Sequence, residues 1–204
     1  MPSFTPVTPG SLVVAIADRA AAHPGLRCVA ISGADASEPV ALARPVADHL
    51  RGRGRPADVV DLHDYVRPAS LRFEHGRTDP HSYRWEWFDY DALDREVLRS
   101  FRERGRWLPR LWDESTDRSA RVRPRPAADD QVLIVAGPML LGRGLGFDLS
   151  VTLVMSRGAL DRRTGEPERW TIPVLLDHDA ETEADLVVRY DHPDRPALRI
   201  AEVR

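Results

Sequence analysis

Five short, almost unbroken apolar runs constrain this chain more than anything else in it. They are "RCVAIS" (Arg27 to Ser32), "ADVVDL" (Ala57 to Leu62), "QVLIVAG" (Gln131 to Gly137), "FDLSVTLVM" (Phe147 to Met155) and "ADLVVRY" (Ala184 to Tyr190). Such runs have no polar side to turn to water, so they read as strands buried on both faces. Segments of helical spacing separate them: Leu12, Val13, Ile16, Ala17 and Ala20; Pro39 to Leu50; and Leu93, Val97, Leu98 and Phe101. Strands that alternate with helices predict a parallel sheet covered by helices on both sides.

A chain of 204 residues, 42% of them hydrophobic, supplies a core for one domain spanning residues 1–204. The formal net charge of -3 gives no reason to expect nucleic acid or an anionic membrane as partner. Runs such as "LVVAIA" and "VLIVAG" are too short to cross a bilayer. No basic segment precedes an apolar stretch near Met1, so the expectation is a cytoplasmic protein. The single Cys28 excludes an internal disulfide and a cysteine metal cluster. All 29 basic residues are arginine, so no lysine is on hand for phosphate chemistry.

The first strand runs into Gly33, and a helix follows where a phosphate-binding loop would hand over to one. Such a loop reads G-x-x-x-x-G-K-[ST]. Here Gly33 to Val40 read "GADASEPV", with Glu38, Pro39 and Val40 at the glycine, lysine and hydroxyl positions. As a plain strand-to-helix turn, the same segment has Pro39 suited to a first helical position and Ser37 or Glu38 suited to its cap. The expectation is that the Glu38 carboxylate satisfies this helix end in place of a phosphate.

Six stretches in register resemble the uridine kinase branch of the P-loop kinases. They are "RCVAISG", "VVDLHDYVRP", "GRTDPHSYRWEWFDYDAL", "GRWLPRLWDESTD", "VLIVAGPMLL" with "FDLSVTLVM", and "ADLVVRYDHPDRPAL". The resemblance covers nearly the whole chain. It implies a three-layer α/β P-loop NTPase/kinase fold with a five-stranded parallel sheet. It further implies transfer of the ATP γ-phosphate to a nucleoside 5′-hydroxyl, which needs a phosphate cradle, magnesium and a positioned carboxylate.

Against that pattern, Pro39 has no N–H and no ammonium, Val40 no hydroxyl, and Ala136 stands where the third strand has an acid. Glu38 adds a carboxylate to an anion site; two charges about 4 Å apart repel by roughly 4 kcal/mol at an effective dielectric near 20. The position of the family's base aligns with His63, beside Asp64, and these two are the candidate catalytic residues. The resemblance assigns Asp89, Tyr83, Trp112 and Asp113 to a nucleoside pocket, and Arg162 and Arg163 to a lid. A solvated helix end is the other reading of the arginine pair, and Trp85 with Trp87 read as packing over a sheet edge.

The expected function is thus a uridine-kinase-like pseudokinase with no metal site and no cofactor. It keeps a nucleoside or nucleotide pocket, or serves a protein partner or a second copy of itself. The alternative is an active nucleoside kinase using Mg-ATP, in which arginines such as Arg44 or the lid pair replace the lysine.

Overall fold

The structure is a computed structural model that describes residues 3–178 and 180–201. Its first half runs β1 (Thr5–Pro6), α1 (Pro9–Ala20), β2 (Arg27–Gly33), α2 (Pro39–Gly52) and β3 (Ala57–Asp61). Short helices α3 (Ala69–Arg72), α4 (Pro80–Trp85) and α5 (Tyr90–Leu93) follow, and a π-helical stretch at Asp94–Arg99 leads into α6 (Ser100–Arg104). Strands β4 (Arg106–Trp107), β5 (Trp112–Asp113), β6 (Arg118–Ser119) and β7 (Arg125–Pro126) form two nested ribbons, β4 with β7 and β5 with β6. The chain then re-enters the main sheet through β8 (Val132–Gly137) and β9 (Leu149–Val154). It crosses by α7 (Arg157–Arg163) and α8 (Ile172–Asp177) to β10 (Leu186–Arg189) and β11 (Ala197–Ile200).

The main sheet has the order β1-β11-β10-β9-β2-β8-β3. All five apolar runs take their places as its parallel part, β10-β9-β2-β8-β3. The sheet is nevertheless seven-stranded, because β11 and β1 add to one edge in antiparallel sense. Those two strands have four and two residues, too few for a periodic pattern to announce them.

Alternation along β2 sorts its side chains between two cores. Val29 and Ile31 join Leu12 and Ile16 of α1 and Leu42 and Val46 of α2 on one face. Cys28 and Ala30 face the other way, toward Tyr65, Phe88, Phe101 and Trp107. With both faces filled, the carboxyl ends of the parallel strands are where loops and ligand sites collect. Gly137 ends β8 under a close approach: a Cβ there would overlap that of Leu62. Among the described residues no helix is long and apolar enough to cross a membrane.

Candidate functional site: two cavities at the carboxyl edge of the sheet

The first cavity lies at the loop between β2 and α2. Asp35–Ser37 form a single 3₁₀ turn, and Glu38 has φ 52° and ψ 55°, the left-handed conformation that glycine adopts freely. For a residue with a side chain this conformation costs about 1–2 kcal/mol. Three of the loop's donors are used inside it: the Ser37 amide donates to Ala34 O at 2.7 Å, the Glu38 amide to Asp35 O at 2.9 Å, and Ser37 Oγ to Ala34 O at 2.6 Å. Pro39 opens α2, as its fixed φ suits, but no side chain caps this helix start. The expectation that Ser37 or Glu38 caps α2 is therefore corrected. A left-handed backbone turns the Glu38 side chain away from the helix amides, and its Oε2 instead accepts from Arg163 Nη2 of α7 at 3.5 Å.

This loop cavity measures about 310 Å³, and Asp35, Glu38 and Asp61 bring three carboxylates to it, with Arg44 and His63 also in its wall. Val40 adds no hydroxyl there, and Ala136 is fully buried in the apolar layer beneath α1 and α2. Among the described residues no three His, Cys, Asp or Glu side chains are grouped to hold a metal ion. The side chains present do not fit a magnesium-bound triphosphate: carboxylates stand where a polyanion would lie, and the lysine, the hydroxyl and one amide are lacking.

His63 joins the loop to the rest of the site. Leu62–Tyr65 form a 3₁₀ turn after β3, capped by Asp61, whose carboxylate accepts from the His63 amide at 2.9 Å. The imidazole is a two-way bridge, with Nε2 donating to Asp35 Oδ1 at 3.0 Å and Nδ1 to Glu114 Oε2 at 3.4 Å. Burial alone pulls its pKa down, but the hydrogen bonds to Asp35 and Glu114 outweigh it and hold the group at about 10. The geometry thus holds His63 between two carboxylates, tying the loop to Glu114. Asp64 lines neither cavity; burial lifts its carboxyl to about 6 although Arg110 Nε lies 2.7 Å away.

The second cavity, of about 760 Å³, opens on the far side of His63. Its wall is aromatic: Tyr83 packs edge-on against Trp87 and Trp170 with ring centroids 5.5 and 5.4 Å apart, and Trp87 meets Trp170 at 5.7 Å. The Arg72 guanidinium, with a side chain only 4% exposed, lies against Phe73 at 5.0 Å and Trp87 at 5.2 Å. It donates to Glu114 Oε1 at 2.7 Å and to Arg67 O at 2.8 Å. A chain of alternating charge thus runs Asp35–His63–Glu114–Arg72 from the loop to the aromatic wall.

Of the four residues expected around a nucleoside, Tyr83 lines this cavity. Asp89 does not: its carboxylate caps α5, accepting from the Ala92 amide at 2.9 Å. Trp112 sits on the β5–β6 ribbon and donates Nε1 to Asp117 at 3.1 Å, while Asp113 caps the turn through Ser115. Of the arginine pair on α7, Arg163 lines the cavity and Arg162 is exposed. Trp87 is a wall residue rather than edge packing, whereas Trp85 is 52% exposed beneath Arg143. Sequence reasoning missed Arg72, Phe73, Glu114 and Trp170 altogether. Glu114 lies within the matched stretch "GRWLPRLWDESTD", and no sequence signal marks the other three.

No protein-family model and no curated protein matches the chain. Solved structures do. One described as a possible uridine kinase from Bacillus stearothermophilus superposes with a TM-score of 0.71 at 18% identity, over 87% of this chain and 97% of that one. A candidate fructose transport system kinase from Silicibacter matches with a TM-score of 0.62 at 26% identity, over 77% and 79%. D-glycerate 3-kinase from Cryptococcus neoformans matches with a TM-score of 0.55 at 16% identity, over 86% and 80%. The fold is accordingly that of the P-loop kinases. Its structural neighbours are uridine-kinase-like and related sugar and glycerate kinases.

Proposed function

We propose that the protein is a uridine-kinase-like pseudokinase: it binds a nucleoside-type ligand in the aromatic cavity and does not transfer phosphate from ATP. The observation that carries this reading is the Glu38–Arg163 pair. Glu38 sits in a glycine's backbone conformation at the head of the loop, and the arginine of α7 spends one nitrogen on it at 3.5 Å. The anion that a lid arginine would clamp is already supplied by the protein. Three carboxylates around the loop cavity support the same conclusion, since they repel a triphosphate there. The fold neighbours support a small hydroxylated acceptor as the ancestral ligand, and the Tyr83–Trp87–Trp170 wall supports one that carries a flat ring.

In this reading the protein works without a cofactor. Binding is its chemistry: the aromatic wall excludes water from a ring, Arg72 holds that wall through Glu114, and His63 fixes the loop against the cavity. The rival reading, an active nucleoside kinase that uses arginine in place of lysine, has in its favour Arg44 at the loop cavity. Incubation with radiolabelled Mg-ATP and uridine separates the two. No labelled uridine monophosphate above the protein-free control is the expected result, and stoichiometric or catalytic transfer would establish the rival.

A further inference from the structure

The nested ribbons between α6 and β8 carry charge of one sign. From Arg118 to Ala128 the sequence reads "RSARVRPRPAA", four arginines with no acid between Asp117 and Asp129, in a chain whose net charge is -3. Residues 118–126 are exposed apart from Ala120. Arg118, Arg121 and Arg123 form no ion pair among the described residues, and Arg125 has only a loose one, to Asp58 at 3.9 Å. The nearest acids are engaged elsewhere. Asp113, opposite Arg118 across the ribbon, takes the hydroxyls of Ser115 and Thr116 and Nη2 of Arg110. Asp117 takes the Ala69 amide at 2.8 Å and Trp112 Nε1 at 3.1 Å. Asp117 and Arg121 are both left-handed, at φ 50° and 51°. The turn they frame has a notch of about 480 Å³ walled by Thr116, Arg118, Ser119 and Arg121, with no carboxylate among them. Arg123 and Arg125 each precede a proline, which holds them extended. Two residues of such chain span about 6–7 Å.

We infer that this arginine ribbon is a docking surface for the phosphate backbone of a nucleic acid. It shares no wall residue with the loop cavity or the aromatic cavity, so it stands independently of the nucleoside reading. Arginine grips a phosphate through two parallel N–H bonds and keeps its charge at any working pH. The notch seats one phosphate between Arg118 and Arg121, with the Ser119 hydroxyl as a further donor. Arg123 and Arg125 carry the contact along the chain. What the ribbon lacks decides the kind of partner. A protein interface centres on apolar or aromatic anchors, and Val122 is the one large exposed apolar side chain on residues 118–126. The same stretch has no aromatic ring to stack a base, so the contact reads charge and not sequence. Arginine and proline also keep an edge from pairing with another strand, but charge of either sign serves that end. Four cations with no acid among them serve an anion.

Fluorescence anisotropy of a labelled polythymidine strand, titrated with the full chain at several salt concentrations, tests this directly. Binding is expected in the micromolar to hundred-micromolar range near physiological salt, as for contacts to phosphate alone. Each phosphate neutralised on a single strand contributes about −0.7 to the slope of log affinity against log salt, so four arginines predict roughly −3. Arg118→Gln and Arg121→Gln, at exposed positions, are each expected to make that slope shallower by roughly one contact's share. Arg195→Gln removes the same charge from an exposed site outside the ribbon and is expected to leave the slope unchanged. Replacing all four ribbon arginines with glutamine, with folding checked by the melting curve, is expected to abolish binding. No binding at the lowest salt, or an equal loss in Arg195→Gln, would overturn the inference. Polyglutamate that displaces the strand as well as unlabelled polythymidine does would assign the surface to an acidic protein and overturn it too.

Discussion

The loop cavity and the aromatic cavity share two wall residues, Asp35 and His63, yet they handle their polar groups in opposite ways. At the loop, the Ser37 and Glu38 amides bond Ala34 and Asp35, and the Glu38 carboxylate meets Arg163. In the aromatic cavity, donors on Arg163 and Thr164 stay unmet among the described residues. A region that has stopped receiving a ligand satisfies itself, because unmet buried groups are a standing cost. A region that still receives one can carry that cost, since the ligand removes it. On the proposed reading, it is the contrast rather than either cavity alone that places the ligand in the aromatic cavity.

Removing Arg72 strikes this contrast hardest. Arg72→Ala strips Glu114 of its buried partner and takes the guanidinium from between Phe73 and Trp87. The expected loss is roughly 3 kcal/mol, the lower end for a broken buried pair because Glu114 remains partly in water. Urea unfolding at neutral pH measures it, and a loss under about 1 kcal/mol would mean that the wall stands without this arginine.

Gly33→Ala comes next. A Cβ there would lie 2.5 Å from Ser37 Oγ and 2.8 Å from Leu153 Cβ, so the 3₁₀ turn or β9 must shift. The expected destabilisation is about 1–3 kcal/mol. Wild-type stability in this variant would show that the loop is slack and not closed on itself.

Glu38→Gly acts in the opposite direction. Relief of the left-handed strain at φ 52° outweighs an exposed ion pair 3.5 Å long, for a net gain of about 1 kcal/mol. A domain of this size should then melt about 2–4 °C higher. A lower melting temperature would make Glu38 the stabilising anion of this helix end after all.

A further effect is one of pH. His63 has its folded pKa raised from 6.5 to about 10, so its contribution is fully present below the unfolded value and fades as pH rises through that window. His63→Gln is expected to flatten the decline of stability between these pH values, as read from melting temperature against pH. An unchanged slope would remove the bridge from the account.

The sheet was legible because buried parallel strands announce themselves: the five apolar runs became the five parallel strands with ends moved by a residue or two. Helix spacing placed α1 and α2 equally well. The loop's side chains were legible position by position, but its capping was not. Whether an N-cap residue's carboxylate turns inward depends on its φ, and nothing in "SEPV" declares a left-handed glutamate. Asp89 shows a different limit. An aspartate ahead of a helical "YDAL" caps a helix or holds a ligand with the same local signature, and only the bond to Ala92 decides. The rest of the aromatic wall beyond Tyr83 was illegible for a third reason: Phe73, Trp87 and Trp170 lie in short helices and turns far apart in the sequence that meet only in the fold.

One titration bears most directly on the claim that the loop is closed to phosphate while the neighbouring cavity is open to a ligand. Mg-ATP is injected into the purified protein in a calorimeter, alone and with saturating uridine. No heat of binding up to millimolar nucleotide is the predicted result. Micromolar binding of Mg-ATP would contradict the account, since it would require a phosphate receptor among residues that are here committed to one another.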